Sequence, residues 1–337
     1  MAPPTSPSGD NLMKRAGLIR RIKLFFQAWI VKISLASMFK IMRITGATKL
    51  KPTLPEYTKR YPVRPMLEHR VFLPPDHVQK QRQGEKLPLL ISIHGGGFMV
   101  CDPQVDDTIN RHFASRHGLL VISINYRLAP RNPFPDSVHD VAESIRAILA
   151  SPPHPYDASR VSIMGFSAGG NLTLSVAQLP DIKEKVQSLV AFYPVVDFSG
   201  KYKGKYKTTK DGKPDMLKNV APIFNWAYIP PGQDKTDPLL SPIYAANREK
   251  LPQRVFFIAA EYDYLEHEAN AMAKMLAGVE TSNEELGVEW ERNGVNWRTV
   301  PNVIHSWTHI ELKGDEEVQR LKGLDALYQD VADWLLT

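Results

Sequence analysis

Between residues 87 and 260 the chain returns five times to a short, near-continuous apolar run rich in β-branched residues. The runs are Leu87–His94, Leu119–Tyr126, Val161–Phe166, Leu189–Tyr193 and Val255–Ala260. A strand that is apolar at every position, not every second one, is covered on both faces, and this is the situation of strands inside a parallel sheet. Stretches of helical period lie between and after these runs, at Asp106–Ser115, Ser137–Ala150, Ala168–Leu179, Glu266–Leu276 and Glu317–Leu336. Strand and helix in alternation predict an α/β architecture, a mostly parallel central sheet with helices on both faces. Met66–Leu73 reads as an antiparallel edge strand and Trp297–Pro301 as the last strand.

Two regions break the alternation. Ser199–Pro242 mixes Lys, Pro, Gly and aromatic residues, with a short helix expected around Met216–Tyr228. A loop-rich insertion of that length inside a compact domain is usually functional, and a lid is the natural reading. Gly278–Asn296, with Glu284, Glu285, Glu289 and Glu291, reads as an acidic surface decoration before the last strand. The expected organisation is therefore an N-terminal region, 1–59, and a main domain, 60–337, with 199–242 as a cap insertion.

Within the N-terminal region, residues 1–10 are Pro/Ser-rich and expected to be disordered. Residues 18–44 are rich in Ile, Leu, Phe, Trp and Met, but Lys32 divides the uncharged runs Leu24–Val31 and Ile33–Phe39. Both fall far short of the roughly 20 apolar residues that span a bilayer. Ala36-Ser37-Met38 is a poor signal-peptide cleavage site at the wrong distance from the start. A helix is expected instead, with Ile22, Phe25, Phe26, Trp29 and Ile33 on one row. That row either packs on the protein as part of the cap, the preferred reading, or makes peripheral contact with a membrane.

The chain of 337 residues carries a net charge of +6. The excess sits in the N-terminal stretch (Lys14, Arg15, Arg20, Arg21, Lys23) and in Lys201–Lys213, without a nucleic-acid-binding motif. Both read as solvated basic surfaces, and no nucleic-acid partner is expected. Cys101 is the single cysteine, which excludes an intramolecular disulfide and a multi-cysteine zinc site. This favours a reducing compartment, so a cytoplasmic protein is expected, with a peripheral position on an intracellular membrane as the alternative. Oligomeric state is left open, a homodimer included.

The chemistry is concentrated at Gly165-Phe166-Ser167-Ala168-Gly169, which follows a strand run and opens a helical one. A turn tight enough to throw a serine hydroxyl out at the end of a strand needs small residues two places to either side. It also aims the free N–H groups of a helix N-terminus at developing negative charge. His94-Gly95-Gly96-Gly97-Phe98 ends an earlier strand run. Three glycines there let backbone N–H groups approach an oxyanion, so Gly95 and Gly96, with Ala168, are the candidate donors. A nucleophilic serine needs a base, and the base an orienting acid. In the order Ser, acid, His, each on a loop after a strand, Asp263 and His305 fit best. Glu261 and Glu266 are rivals for the acid, and His267 and His309 for the base.

Taken together, these motifs resemble those of the hormone-sensitive-lipase-like family of α/β-hydrolases, over roughly residues 60–337. Besides His94–Phe98 and the elbow extended to Gly170-Asn171-Leu172, the resemblance includes Tyr126-Arg127-Leu128-Ala129-Pro130 with Pro133-Phe134-Pro135. Tyr193-Pro194, Asp197, Asp237-Pro238 and Ser241-Pro242 echo further landmarks. The resemblance implies the α/β-hydrolase fold, assigns Asp263 and His305 to a triad with Ser167, and implies a cap made of the N-terminal helices and the segment after Asp197. Phe166 stands where the family usually has Asp, and Arg131 where it usually has Glu, so the support around the site is expected to differ.

The expected activity is hydrolysis of a carboxylic ester through an acyl-enzyme on Ser167, with no metal or organic cofactor. The expected partner is a small ester, a short-to-medium acyl ester or an acylated natural product. Phe25, Phe26, Trp29, Phe224, Trp226 and Tyr228 suggest an apolar pocket or the core of the cap. Amide or lactone hydrolysis and acyl transfer use the same machinery. A retired hydrolase scaffold that only binds a small molecule is the alternative of a different class.

Overall fold

The computed structural model describes residues 22–23, 25–34, 37, 53–279 and 286–337. The Pro/Ser-rich start and Glu284 and Glu285 lie outside them.

The apolar runs form one sheet. Its strands are β1 (Tyr57–Lys59), β2 (His69–Phe72), β3 (Leu87–Ile93), β4 (Leu120–Ile124), β5 (Tyr156–Phe166), β6 (Ser188–Phe192), β7 (Arg254–Tyr262), β8 (Glu289–Arg292) and β9 (Val295–Ile304). Their order is β1-β2-β4-β3-β5-β6-β7-β9-β8. The six from β4 to β9 in that order are mutually parallel. β1 and β2 are antiparallel additions at one edge and β8 at the other. Met66–Leu73 thus contains the expected antiparallel strand, but β1 lies outside it and forms the true edge.

Helices cover both faces because successive strand residues point to opposite sides. Leu89, Ile91 and Ile93 share one core with Val141 and Ile145 of α4 (Asp136–Ala150), Leu172 of α5 (Ala168–Val176) and Met272 of α8 (Leu265–Ala277). Leu90, Val121, Met164 and Val190 share the other with Phe113 of α3 (Asp107–His117) and Leu327 and Val331 of α9 (Gly314–Leu336). Two short helices, α2 (His77–Arg82) and α6 (Pro180–Lys183), connect strands.

Two expectations are corrected. Gly278–Asn296 is not decoration throughout, because Glu289–Arg292 pairs with β9 and extends the sheet. Three of its four residues are exposed, and that is why the segment reads as surface. The helical residues 25–34 (α1) do not bury the expected row: Ala28 is buried, whereas Ile22, Phe25, Phe26 and Ile33 are exposed.

The insertion after β6 contributes α7 (Leu217–Tyr228), which matches the helix expected there. Phe98, Phe198 and Tyr228 pack as an aromatic group between this helix and the loop after β3, with Phe98 and Tyr228 stacked at 3.8 Å. No helix among the described residues is long and apolar enough to cross a membrane.

Candidate active site

β5 ends at Phe166 and α5 begins at Ala168, so Ser167 alone makes the turn, with φ 54° and ψ −113°. That conformation is sparsely populated for a residue with a side chain and costs about 1–3 kcal/mol, which the surroundings must over-determine. The flanking glycines are what permit it. A Cβ on Gly165 would lie 2.2 Å from the Gly169 carbonyl oxygen, and one on Gly169 would lie 2.0 Å from that of Ile93. The Ser167 N–H donates to the Phe192 carbonyl at 2.9 Å, tying the turn to β6.

Asp263 follows β7 and His305 follows β9, the parallel neighbour of β7, so the sheet delivers both to the same end as Ser167. The structure brings the three together. Asp263 Oδ2 lies 2.6 Å from His305 Nδ1, and His305 Nε2 lies 2.9 Å from Ser167 Oγ. With the Nδ1 proton directed to the carboxylate, Nε2 is left to accept from the serine hydroxyl. Asp263 and His305 are both buried, and Asp263 Oδ1 also accepts the Leu265 N–H at 3.0 Å.

Gly95, Gly96 and Ala168 flank the serine. A Cβ on Gly95 would lie 3.5 Å from Ser167 Cβ, so this backbone passes directly beside the serine. The N–H groups of these three residues have no hydrogen-bond acceptor among the described residues. Tyr126 OH fixes the loop by donating to the His94 carbonyl at 2.9 Å, with its ring stacked on His94 at 4.3 Å. Phe224 of α7 lies against Gly97, where an added Cβ would meet its ring at 2.2 Å, so α7 packs on the glycine run. Phe25 and Phe26, by contrast, are exposed.

The rivals have other employment. Glu261 accepts the Asn302 N–H at 2.7 Å, Glu266 pairs with Lys207 at 3.1 Å, and His267 is exposed. His309 has both nitrogens engaged: Nε2 meets Asp106 Oδ1 at 2.7 Å and Nδ1 meets Thr308 Oγ1 at 2.8 Å. It forms a second histidine–carboxylate pair, joined to the first by Tyr193. That ring packs edge-on against His305 at 4.8 Å, and its hydroxyl reaches Thr308 and His309.

Several residues that the sequence did not single out hold these loops. Asp215, buried in the cap segment, accepts the N–H of Tyr264 at 2.8 Å through Oδ2 and that of Leu217 at 2.8 Å through Oδ1. Burial pushes its carboxyl above the usual range and nearby Asp263 adds to this, with His305 acting in the opposite sense. Lys207 Nζ donates to the Glu261 carbonyl at 2.7 Å, and Lys210 Nζ to Asn302 Oδ1 at 2.9 Å. The Lys201–Lys213 stretch is therefore more than a solvated surface: two of its lysines tie it to the ends of β7 and β9, the strands that lead into Asp263 and His305. Glu268, fully buried on α8, accepts the N–H groups of Val196 and Asp197, and burial holds its carboxyl well above the usual range. Its only sequence signal is an acid on the apolar side of a helical pattern.

The motif residues around the site are structural ties. Arg127 grips the buried Asp140 through Nε and Nη2, at 2.7 and 2.9 Å. Asn171 donates to the carbonyls of Val195 and Leu240, binding α5 to the chain just before the insertion and to its end. The two departures have different outcomes. Phe166 is buried in an aromatic cluster, stacked on Phe192 at 4.8 Å and edge-on to His309 at 4.9 Å, so apolar packing supports the elbow at that position. Arg131 is exposed, at the rim of a cavity lined also by Trp29, Lys32 and Cys101.

A strained serine turn, a histidine–aspartate pair and a glycine loop on this sheet order define an α/β-hydrolase. Residues 90–307 match the sequence model of the family described by the α/β hydrolase fold, and the chain belongs to that family. Its sequence motifs resemble those of the hormone-sensitive-lipase-like branch of that family. It is 31% identical over 201 residues to an arylesterase of Saccharolobus solfataricus, covering 57% of this chain and 64% of that protein. The chain therefore spans just under two thirds of that relative's length. It is 27% identical over 256 residues to a versiconal hemiacetal acetate esterase of Dothistroma septosporum, covering 70% of this chain and 74% of that one. Among solved structures, an ester hydrolase from the metagenome of Lake Arreo, complexed with a derivative of bipyridine phosphonate, superimposes with a TM-score of 0.67. The two are 25% identical, with 86% of each chain covered.

Proposed function

We propose that this protein hydrolyses carboxylic esters through an acyl-enzyme on Ser167. The observation that carries the reading is the unbroken hydrogen-bond chain from Asp263 through His305 to Ser167, at 2.6 and 2.9 Å, ending at the strained turn. Ser167 Oγ attacks the ester carbonyl while His305 Nε2 takes its proton. Asp263 holds the imidazole in the required tautomer and balances its charge. The oxyanion is received by the N–H groups of Gly95, Gly96 and Ala168, which need not be recruited from other hydrogen bonds. His305 then protonates the departing alcohol, and a water activated by the same imidazole releases the acid.

The substrate class we favour is a small ester with a short-to-medium apolar acyl group, or an acylated small molecule. Phe224 against Gly97 gives the glycine loop an apolar wall and limits the space above it. The relatives named as an arylesterase and as an esterase of an acetylated hemiacetal are in keeping with that class. A panel of p-nitrophenyl esters from acetyl to dodecanoyl, with the matching anilides and lactones, tests the reading. Turnover should be greatest on the shorter esters and absent in Ser167→Ala. Equal turnover by Ser167→Ala, or activity confined to anilides, would overturn it.

A further inference from the structure

The helix at residues 25–34 has two unlike faces. Ala28 is buried, Val31 is half-buried, and Lys32 Nζ donates to the Ala129 carbonyl at 2.9 Å, so this face lies on the loop after β4. On the other side Ile22, Phe25, Phe26, Ile30 and Ile33 are between 48% and 61% exposed. At 100° per residue these five occupy an arc of roughly 140°, interrupted on its Phe25 side by the half-buried Trp29. Phe25 and Phe26 meet edge to face at 5.7 Å, giving the patch an aromatic centre. Five large apolar side chains on one arc are more than scattered surface hydrophobicity, which needs no explanation.

The sequence on either side of this helix is strongly basic. Residues 1–51 contain ten Lys and Arg against a single acid, Asp10, so the rest of the chain is slightly acidic although the whole carries +6. Basic residues flanking an exposed aromatic and aliphatic arc are the composition of a helix lying in the plane of an anionic lipid surface. A protein partner of acidic, apolar surface would ask for a narrower stripe of anchors than this arc. The helix also lies near the proposed site. Trp29 and Lys32 line a cavity of about 410 Å³ with Cys101, and Cys101 Cβ is 3.1 Å from where a Cβ on Gly96 would sit.

We propose that α1 seats the protein on an anionic membrane surface, with Ile22, Phe25, Phe26, Ile30 and Ile33 entering the boundary between headgroups and acyl chains. The lipid surface then lies beside the glycine loop, which suits esters that partition into lipid; this last step alone rests on the esterase reading. The test is co-sedimentation of the full chain with vesicles of phosphatidylcholine, alone or with about one third phosphatidylserine. Binding should be several-fold stronger to the anionic vesicles and fall with added salt. The double variant Phe25→Glu/Phe26→Glu should lose binding at least about tenfold while turning over a water-soluble ester as before. Failure to bind either vesicle, or equal binding by the variant, would overturn the proposal. So would a dimer in light scattering that the variant dissociates without any vesicle binding, since a second copy would then be the occupant. Vesicle binding is read without turnover, so loss of the membrane proposal leaves the esterase reading untouched, and the reverse.

Discussion

Asp215 accepts the backbone N–H of Tyr264 at 2.8 Å, and Tyr264 directly follows Asp263, the carboxylate paired with His305. One residue of the insertion thus holds the loop of the proposed catalytic acid. Its partner oxygen holds the start of α7, so a single carboxylate joins the acid loop to the cap helix. Replacing it with asparagine keeps the size but leaves an amide NH₂ facing one backbone N–H. We expect Asp215→Asn to lower kcat on the order of tenfold with KM changed much less, because misplacing a catalytic group acts on the reaction step. Asp215→Glu should restore part of the loss. Steady-state kinetics on a short ester, with thermal unfolding as a control, checks this; a rise in KM at unchanged kcat would place Asp215 in substrate binding.

Phe224 is expected to set acyl size. Its ring occupies the space beside Gly97, so Phe224→Ala opens a pocket next to the oxyanion donors. Relative kcat/KM for octanoyl over acetyl esters should rise by at least about tenfold, the low end of what one methylene is worth in an apolar pocket. An unchanged acyl profile would remove Phe224 from the pocket wall.

The two histidine–carboxylate pairs should separate cleanly in mutagenesis. His305→Ala removes the proposed base and should reduce kcat by about 10⁴-fold or more. His309→Phe leaves His305, Asp263 and Ser167 in place and should retain activity to within about tenfold, with its cost appearing in stability. Comparable losses in both variants would mean that the base has been misassigned.

His69 is expected to make stability depend on pH. Its Nδ1 accepts the Asn125 N–H at 3.2 Å, and its Nε2 is buried without a partner among the described residues. Burial lowers its pKa to about 4. The unfolded chain binds a proton here near pH 6.5 and the folded chain does not until about pH 4, so stability is lost as pH falls through that window. The contribution is of order 2–3 kcal/mol. Urea midpoints between pH 7 and 4 should decline, and decline less in His69→Gln. A wild-type and variant that decline in parallel would contradict the assignment.

The parallel strands and the serine turn were legible in the sequence for physical reasons. A strand covered on both faces has no polar position to spare, and the turn at Ser167 leaves no room for a Cβ on Gly165 or Gly169. Asp263 and His305 were reachable through chain order, because neighbouring parallel strands deliver their following loops to one end of the sheet. The cap's contacts were not legible. Asp215, Lys207 and Lys210 lie in a stretch without periodicity, and their partners are 49, 54 and 92 residues away. The row of Ile22, Phe25, Phe26 and Ile33 has the same spacing whether it meets the protein or something else, so pattern could not say that it faces outward. β8 was missed because three of its four side chains are exposed, and only pairing with β9 makes it a strand.

Labelling with a fluorophosphonate, followed by peptide mapping of the adduct, tests the central claim most directly. A serine activated by His305 beside free N–H donors should be phosphonylated stoichiometrically at Ser167, with ester turnover lost in proportion, and Ser167→Ala should neither label nor turn over. An adduct on another residue, or full ester turnover in protein labelled at Ser167, would contradict the account.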